Sequence, residues 1–472
     1  MNKIYKVVWN NTLQCYTVVS ELAKSHTKNN ASKVIKATVL SSILAVTSSS
    51  YAAQVGGGEG STVQTTDSQN PQFVTINVDQ DTTVDSISVG NDAVTKIYVL
   101  GKDVKFTVNK DISLNTPSSA GLYFNPSTSS DGNGNITFDK SSSLHVKGDI
   151  NITNTNTQTE LDVSSGYPGI FLGLSPNTTV DGTVNVKSDA LHTIKASDTN
   201  GNEVESQYPG ASLSLSGNST IEKDLNVDKS LVSASFTSKI DDKTISPQDE
   251  NERIQINGNA SFTDNSSLDV MAKMGVKGDL SFEKSRLYLA LNSLFASPMW
   301  NLKTAADNIA LDVDGNASFT NGSSLDVLGR LKVKGDLSLE NSPLYLSTYY
   351  SILYDGKEER VQPVDEASMD VGGNLKISGV TDDGSTIYNT VAGDAILNIA
   401  GNVDISGSNS LEIRENSTAT IGGDLNLNHV EDTNVWNKVY NGSSMTVNGD
   451  LNMKGHYREG YYTEETDQEF FR

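Results

Sequence analysis

Cysteine is almost absent from this chain of 472 residues, because its single copy, Cys15, lies close to the N-terminus. An intrachain disulfide is therefore impossible, and so is a thiolate metal site beyond that point. Aromatic residues make up only 7% of the sequence, and no apolar run approaches the roughly 20 residues that a membrane-spanning helix needs. These shortages exclude a disulfide-stabilised scaffold and a helical membrane protein.

Basic residues are scarce as well. The chain has 35 Lys and Arg against 58 Asp and Glu, a net charge of −23. Residues 1–36 hold six of the lysines and one acid, Glu21, so the remainder is more acidic still. A surface of this sign repels phosphate backbones, and we therefore expect no nucleic acid partner.

The N-terminal segment has the organisation of an export signal. A long region with scattered lysines precedes the apolar run Ala37–Val46, and small residues lead from there to Ala52. The apolar run is too short to cross a bilayer. We predict an extended signal peptide over residues 1–52, cleavage between Ala52 and Ala53, and export by the Sec machinery.

Two blocks of this leader, Met1–Asn10 and Cys15–Lys24, carry a more specific pattern. At this spacing they resemble the extended signal peptide region of type V secretion proteins of Gram-negative bacteria, which are the autotransporters and two-partner exoproteins. Tyr16 stands where that family usually has tryptophan. The resemblance implies an adhesin-like passenger at the cell surface or outside the cell, and an outer-membrane β-barrel translocator as its partner. Without a translocator, the product is expected in the periplasm.

A short unit of glycine, a polar residue that is usually Asn or Asp, and an alternating apolar strand recurs along the chain. The block from Gly258 to Phe282 returns as Gly315 to Leu339, a shift of 57 residues that indicates internal duplication. The glycines that open the units are Gly134, Gly148, Gly182, Gly258, Gly278, Gly315, Gly335, Gly373, Gly401, Gly423 and Gly449.

The alternation has the period of a strand with one buried face. Strands this short must stack on one another to bury that face, so we predict an all-β fold, a right-handed parallel β-solenoid. Leu280, Leu337 and Leu425 should point inward, and the following residue of each should point outward. We attribute the Gly-Asn and Gly-Asp pairs to a corner that needs a positive backbone angle. With about 22 residues per coil, the rod should be on the order of 90 Å long.

The predicted domain organisation follows from the repeat. A flexible linker over 53–71 precedes an N-terminal cap with the first coils over 72–130. The repetitive solenoid then covers 131–472, with insertions at 283–314 and 340–371. The repeat persists to Met453, and the rest is too short for a C-terminal β-barrel of strands of about ten residues. The translocator is then expected to be supplied separately, or to be lost through truncation.

The sequence holds no catalytic motif. Beyond the leader, the histidines are His145, His192, His429 and His456, without metal-ligand spacing or an accompanying nucleophile. We expect no enzyme activity, no metal and no cofactor. Two other functions stay open. One is a polysaccharide-acting β-helix enzyme, which would need clustered acids on adjacent coils, and the other is a non-functional fragment of a larger autotransporter.

Aromatic residues are concentrated in the two insertions. Loops inserted between solenoid coils emerge on one face, often the binding face, and aromatic anchors bury a large area at low entropic cost. A host glycan or surface protein is the expected ligand, and the alternative is that these rings only pack against extra strands. The candidate ligand-binding residues are Tyr288, Phe295, Trp300, Tyr345, Tyr349, Tyr350 and Tyr354.

Overall fold

The computed structural model describes residues 5–10, 15–20, 62–65, 72–78, 80–90, 93–99, 103–126, 128–130, 136–138, 141–161, 169–174, 177–197, 203–241, 244–290, 303–354, 357–381, 383–430 and 433–455. These residues form strands and the turns between them, with one short 3-10 turn at Ala306–Asn308. Within these ranges, no helix is long and apolar enough to cross a membrane.

Three long parallel sheets build the molecule, with 13, 13 and 14 strands. Successive strands visit the first, second and third sheet in turn, so each coil of the chain contributes one strand to each of three faces. The predicted parallel β-solenoid is confirmed, and its right-handed sense stays a prediction. Fourteen rungs at about 4.8 Å give a rod of roughly 60 Å. The rod is shorter than expected because the insertions take up chain length.

The strand bounds are as follows. The first sheet contains Gln72–Val78, Ala93–Val99, Ala120–Pro126, Ile170–Gly173, Ala211–Ser216, Leu231–Ser235, Ser267–Met271, Arg286–Leu289, Ser324–Val327, Leu344–Ser347, Ile387–Ala392, Asn409–Ile413 and Val435–Val439. The second contains Thr82–Val84, Lys105–Val108, Ser143–Val146, Thr178–Val180, Thr220–Ile221, Ile254–Ile256, Lys273–Val276, Ala310–Val313, Arg330–Val333, Ser368–Val371, Ile396–Ile399, Thr418–Ile421 and Ser444–Val447. The third contains Thr62–Thr65, Ser86–Val89, Ile112–Thr116, Ile150–Asn154, Val184–Ser188, Leu225–Asp228, Ala260–Thr263, Leu280–Glu283, Ala317–Thr320, Leu337–Glu340, Leu375–Ser378, Val403–Ser406, Leu425–Asn428 and Leu451–Lys454.

Short sheets lie outside these three faces. Four are antiparallel hairpins: Tyr5–Asn10 with Cys15–Ser20, Thr128–Ser130 with Ile136–Phe138, Ser238–Asp241 with Thr244–Pro247, and Tyr350–Tyr354 with Lys357–Val361. The fifth is a three-stranded sheet of Glu160–Leu161, Leu191–Ser197 and Glu203–Pro209.

The apolar core fills the space enclosed by the three sheets. Leu280, Leu337 and Leu425 are buried, and the residue after each is partly exposed, as the period-2 pattern predicts. At equivalent positions of successive third-sheet strands, Phe262, Phe282 and Phe319 stack with ring centroids 4.7 and 4.8 Å apart and nearly parallel planes. This distance equals the spacing of hydrogen-bonded strands, so the repeat itself produces the stack.

The Gly-Asn and Gly-Asp pairs of the units from Gly148 onward form the corner between the second and third sheets. The unit at Gly134 differs, because Gly134 lies outside the described residues and the strand after it, Ile136–Phe138, belongs to a hairpin. The side chain of each Asn or Asp accepts a hydrogen bond from the backbone of the coil that follows it. Asn316 N–H donates to Asp279 Oδ1 at 2.8 Å, and Asp336 N–H donates to Asn316 Oδ1 at 2.9 Å. The same ladder continues through Asn374, Asn402, Asp424 and Asp450.

The glycine of each pair is needed for a different reason from the one expected. The corner glycines do not have a positive φ angle, so the predicted backbone conformation is wrong. A Cβ atom at Gly335 would instead collide with Asn316 Oδ1 and with the Gly315 carbonyl oxygen. Close approach of consecutive coils along the ladder therefore requires glycine here.

The insertions also follow a rule that the linear sequence did not reveal. The corner between the second and third sheets is at most three residues long in every coil. Longer segments leave the coils at the two corners that flank the first sheet. They are residues 127–142, 236–253, 290–309 and 348–367 on one side, and 155–169 and 189–210 on the other. The first-sheet face therefore lies between two sets of insertions.

Three predicted segments have other bounds in the structure. Arg286–Leu289 and Leu344–Ser347 are regular first-sheet strands in register with their neighbours. The predicted insertions 283–314 and 340–371 were therefore too wide, because strands and loops within them share one apolar, aromatic composition. Thr62–Thr65 pairs with Ser86–Val89 and so lies in a strand within the predicted linker.

Candidate ligand-binding face

The outward side chains of the first sheet align in columns, because parallel strands stack in register. One column, the Tyr/Asp column, consists of Asp269, Tyr288, Asp326 and Tyr345 on four successive rungs. Aromatic rings and carboxylates alternate along it at about 4.8 Å per rung. Two of the predicted candidates, Tyr288 and Tyr345, thus lie on one face, two rungs apart.

Arg286 balances part of the acidic charge of this column. Its guanidinium lies 3.6 Å from Asp269 Oδ1 and 5.4 Å from the centroid of the Tyr288 ring. Burial raises the pKa of the Tyr288 hydroxyl, and Tyr350 and Asp326 raise it further. Burial also raises the pKa of Asp326, against the opposing effect of Arg286. Tyr288, Asp326 and Tyr345 form a half-buried surface that combines rings with a carboxylate, while Asp269 is buried beside them at 7% exposure.

The Tyr349 side chain is buried and contacts the protein on both sides. Its side chain is 5% exposed, and its hydroxyl donates to Glu415 Oε2 at 2.8 Å. The Arg360 guanidinium covers its ring at 3.6 Å and also contacts Glu415. Burial and the Glu415 hydrogen bond raise the pKa of the Tyr349 hydroxyl. These contacts hold Tyr349 against Glu415 and Arg360, between the 350–361 hairpin and the coils, and its role as a ligand contact stays a prediction.

The other candidates are spread over the hairpin and the adjoining segments. Tyr350 begins the first strand of the hairpin and Tyr354 ends it. The Tyr345 hydroxyl donates to the Tyr349 carbonyl at 3.2 Å, which ties the column to the hairpin. Phe295 and Trp300, and Ala52 and Ala53 at the predicted cleavage site, lie outside the described residues.

A second aromatic feature of the same face was missed. Tyr388, Ser410 and Trp436 occupy one register position on three successive first-sheet strands. The two rings lie with centroids 6.2 Å apart and planes inclined by 57°, and Tyr388 is 53% exposed. We call the two aromatic residues the Tyr388–Trp436 pair, and Ser410 lies on the strand between them. The linear sequence separates them widely, and only strand register brings them together.

The second-sheet face carries a different feature, a groove of about 540 Å³ without aromatic residues in its lining. Lys332, Asp370, Asn398 and Thr420 follow one another along its wall, and Asn398 Nδ2 donates to Asp370 Oδ1 at 2.8 Å. Among the residues that the structure describes, no group of three or more His, Cys, Asp or Glu could hold a metal ion.

Comparison with known proteins identifies the leader. The family Extended Signal Peptide of Type V secretion system matches residues 1–50. The chain is 51% identical over 79 residues to the trimeric autotransporter adhesin AtaA of Acinetobacter sp. (strain Tol 5), a match that covers 15% of this chain and 2% of that protein. It is 49% identical over 47 residues to the autotransporter adhesin NhhA of Neisseria meningitidis serogroup B (strain ATCC BAA-335 / MC58), covering 10% of this chain and 8% of that protein. No solved structure matches the chain.

These findings confirm the resemblance predicted from the two leader blocks. The chain carries the extended signal peptide of type V secretion, which directs it to the cell surface or the extracellular space, and short segments of it are similar to two autotransporter adhesins. This route implies Sec export and an outer-membrane translocator. The chain spans only a small part of the length of both similar proteins.

Proposed function

We propose that the solenoid is an adhesin-type passenger that binds its ligand through the outer face of the first sheet and catalyses no reaction. The observation that carries this proposal is the in-register column Asp269, Tyr288, Asp326 and Tyr345 between the two sets of insertions. Half-buried aromatic rings supply contact area, and the carboxylates accept hydrogen bonds from hydroxyl or amide groups. The adhesin names of the two similar proteins support this class of function.

Removal of both tyrosine rings of the column should abolish most of the binding. The double variant Tyr288→Ala/Tyr345→Ala should lose at least tenfold in affinity, because a buried aromatic anchor typically contributes about 2 kcal/mol or more to an interface. The measurement is binding of the mature chain to host epithelial cells and to a glycan array. Ser281→Ala/Ser338→Ala on the third-sheet face is the matched control and should bind like the parent. Full binding by the tyrosine variant, with the control unchanged, would place the contact on another face.

A polysaccharide-acting enzyme is the second candidate, and one observation favours it. Asp269 and Asp326 flank Tyr288 on strands roughly 9.6 Å apart, a backbone spacing just above the roughly 6.5–9.5 Å that separates the carboxyl groups of inverting glycosidases. Burial raises the pKa of Asp326, as a general acid requires.

The adhesin proposal predicts that the mature chain releases no reducing ends from bacterial or host polysaccharides. The measurement is a reducing-sugar assay at several pH values, with Asp326→Asn beside the parent. Release by the parent that Asp326→Asn abolishes would establish the enzyme and refute the purely adhesive function. Release that persists in Asp326→Asn would point to a contaminating activity.

A further inference from the structure

The Tyr388–Trp436 pair closes over a side chain that has no partner. Tyr388 and Trp436 lie two rungs apart, a backbone spacing of roughly 9.6 Å, yet their ring centroids are 6.2 Å apart. The rings therefore lean together above Ser410, which lies between them in the register. Ser410 is fully buried although its strand position faces outward, because the rings cover it.

Two buried polar atoms of this site lack a hydrogen-bond partner. They are Ser410 Oγ and Trp436 Nε1. An unsatisfied buried polar atom lowers stability, and a bound group that hydrogen-bonds to it recovers that loss. Ser410 Oγ can donate or accept a hydrogen bond, and Trp436 Nε1 can only donate one. A ligand with several hydroxyl groups in a small ring fits both.

The rim beside Trp436 carries one cation and one anion, Lys438 and Glu412, and Arg414 lies beyond them against Tyr440. Lys438 Nζ lies 5.0 Å from the Trp436 ring centroid and 3.9 Å from Glu412 Oε1. The Tyr440 hydroxyl donates to Glu412 Oε2 at 3.3 Å. The charge of Lys438 is thus matched by Glu412, while the chain as a whole has a net charge of −23. This electrostatic setting favours an uncharged ligand over an anionic one.

The backbone spacing between the strands of Tyr388 and Trp436 leaves room for a ligand ring between the two aromatic planes. Carbon atoms in contact lie about 3.5–4.0 Å apart, so a flat ring between two planes needs roughly 7–8 Å. The backbone spacing exceeds this, and Tyr388 is 53% exposed, so rotation of its side chain can open the pair without moving a strand.

We propose that Tyr388, Ser410 and Trp436 form a subsite for one neutral hexopyranose residue of a glycan. The apolar faces of the sugar pack on the two rings, and its hydroxyl groups hydrogen-bond to Ser410 Oγ and Trp436 Nε1. This inference rests on the proposed adhesin function and names the class of its ligand.

The experiment uses tryptophan fluorescence of the mature chain. Beyond the leader the sequence holds two tryptophans, Trp300 and Trp436, so Trp300→Phe leaves Trp436 as the sole reporter. The probes are lactose, maltotriose, chitotriose and 3′-sialyllactose. At least one neutral probe should change the Trp436 emission with a saturable dependence on concentration, and sialyllactose should bind at least threefold more weakly than lactose.

Variants of the subsite test which contacts hold the sugar. Tyr388→Ala should weaken binding at least tenfold, Tyr388→Phe should stay within threefold, and Ser410→Ala should weaken it about three- to tenfold. Val430→Ala is the control, because Val430 is also 53% exposed and lies outside the pair. Melting of each variant, followed by circular dichroism, should match the parent.

Three results would overturn the inference: no saturable change with any neutral probe, a Tyr388→Ala titration like that of the parent, or tighter binding of sialyllactose than of lactose. The same experiments distinguish failure of the saccharide subsite from failure of the proposed adhesin function. If cell binding survives Tyr388→Ala and no probe binds, the adhesin function stands and the saccharide subsite is wrong. If the probes bind as expected and cells do not, the subsite stands without a role in adhesion.

Discussion

Replacing Phe282 with alanine will lower the free energy of unfolding by about 3–5 kcal/mol, the range for removal of a buried phenyl ring. Phe282 is 1% exposed and lies between Phe262 and Phe319, with ring centroids 4.7 and 4.8 Å away. Its loss leaves a cavity inside a narrow core and removes both stacking contacts at once. The neighbouring coils cannot close the cavity, because their strands are held in register by backbone hydrogen bonds on both sides.

The measurement is urea denaturation of the mature chain, followed by circular dichroism. Ser281→Ala is the matched control, since Ser281 precedes Phe282 on the same strand and faces outward. It should change the free energy of unfolding by no more than about 0.5 kcal/mol. Equal losses in the two variants would contradict the strand register.

Gly335→Ala will have a comparable effect for a different reason. The added Cβ atom collides with Asn316 Oδ1 and the Gly315 carbonyl oxygen, so the corner must move away from the preceding coil. That movement strains packing and lengthens two hydrogen bonds, Gly335 N–H to Gly315 O and Asp336 N–H to Asn316 Oδ1. Together these effects should lower the free energy of unfolding by about 2–4 kcal/mol.

Gly455→Ala is the matched control for this substitution. A Cβ atom added at Gly455 would meet no heavy atom within 4 Å, and Gly455 has no positive φ angle, so its replacement should leave the denaturation midpoint unchanged. The two variants are compared in the same urea titration as above. A neutral Gly335→Ala would show that the ladder of Asn and Asp side chains tolerates a wider coil spacing.

The ladder of Asn and Asp side chains runs along the corner whose length varies least from coil to coil. Each Asn or Asp at the corner between the second and third sheets is fixed by the coil on either side, and that corner never exceeds three residues. The corners around the first sheet carry shorter ladders of serine hydroxyls, such as Ser285 N–H to Ser323 Oγ and Ser417 N–H to Ser443 Oγ, and several of their coils accept longer segments. The solenoid therefore keeps one edge constant for stacking and presents the variable loops beside the face proposed to bind ligand.

The sequence by itself determined the export route and the local structure of each unit. The leader pattern at Met1–Asn10 and Cys15–Lys24 predicted the type V signal that the family comparison matches over residues 1–50. Alternation within each unit predicted which side chains are inward, such as Leu337 against Ser338, because side-chain direction in a strand depends only on a period of two residues.

Only the tertiary structure decided how the coil closes and which residues share a face. The three-sheet cross-section, the tight approach at Gly335 and the buried position of Tyr349 all depend on contacts between coils. The pairing of Tyr388 with Trp436 depends on them too, because the chain between the two strands makes two full coils and crosses both other sheets twice. Register between strands distant in sequence is set by the packing of the whole solenoid, and no local pattern encodes it.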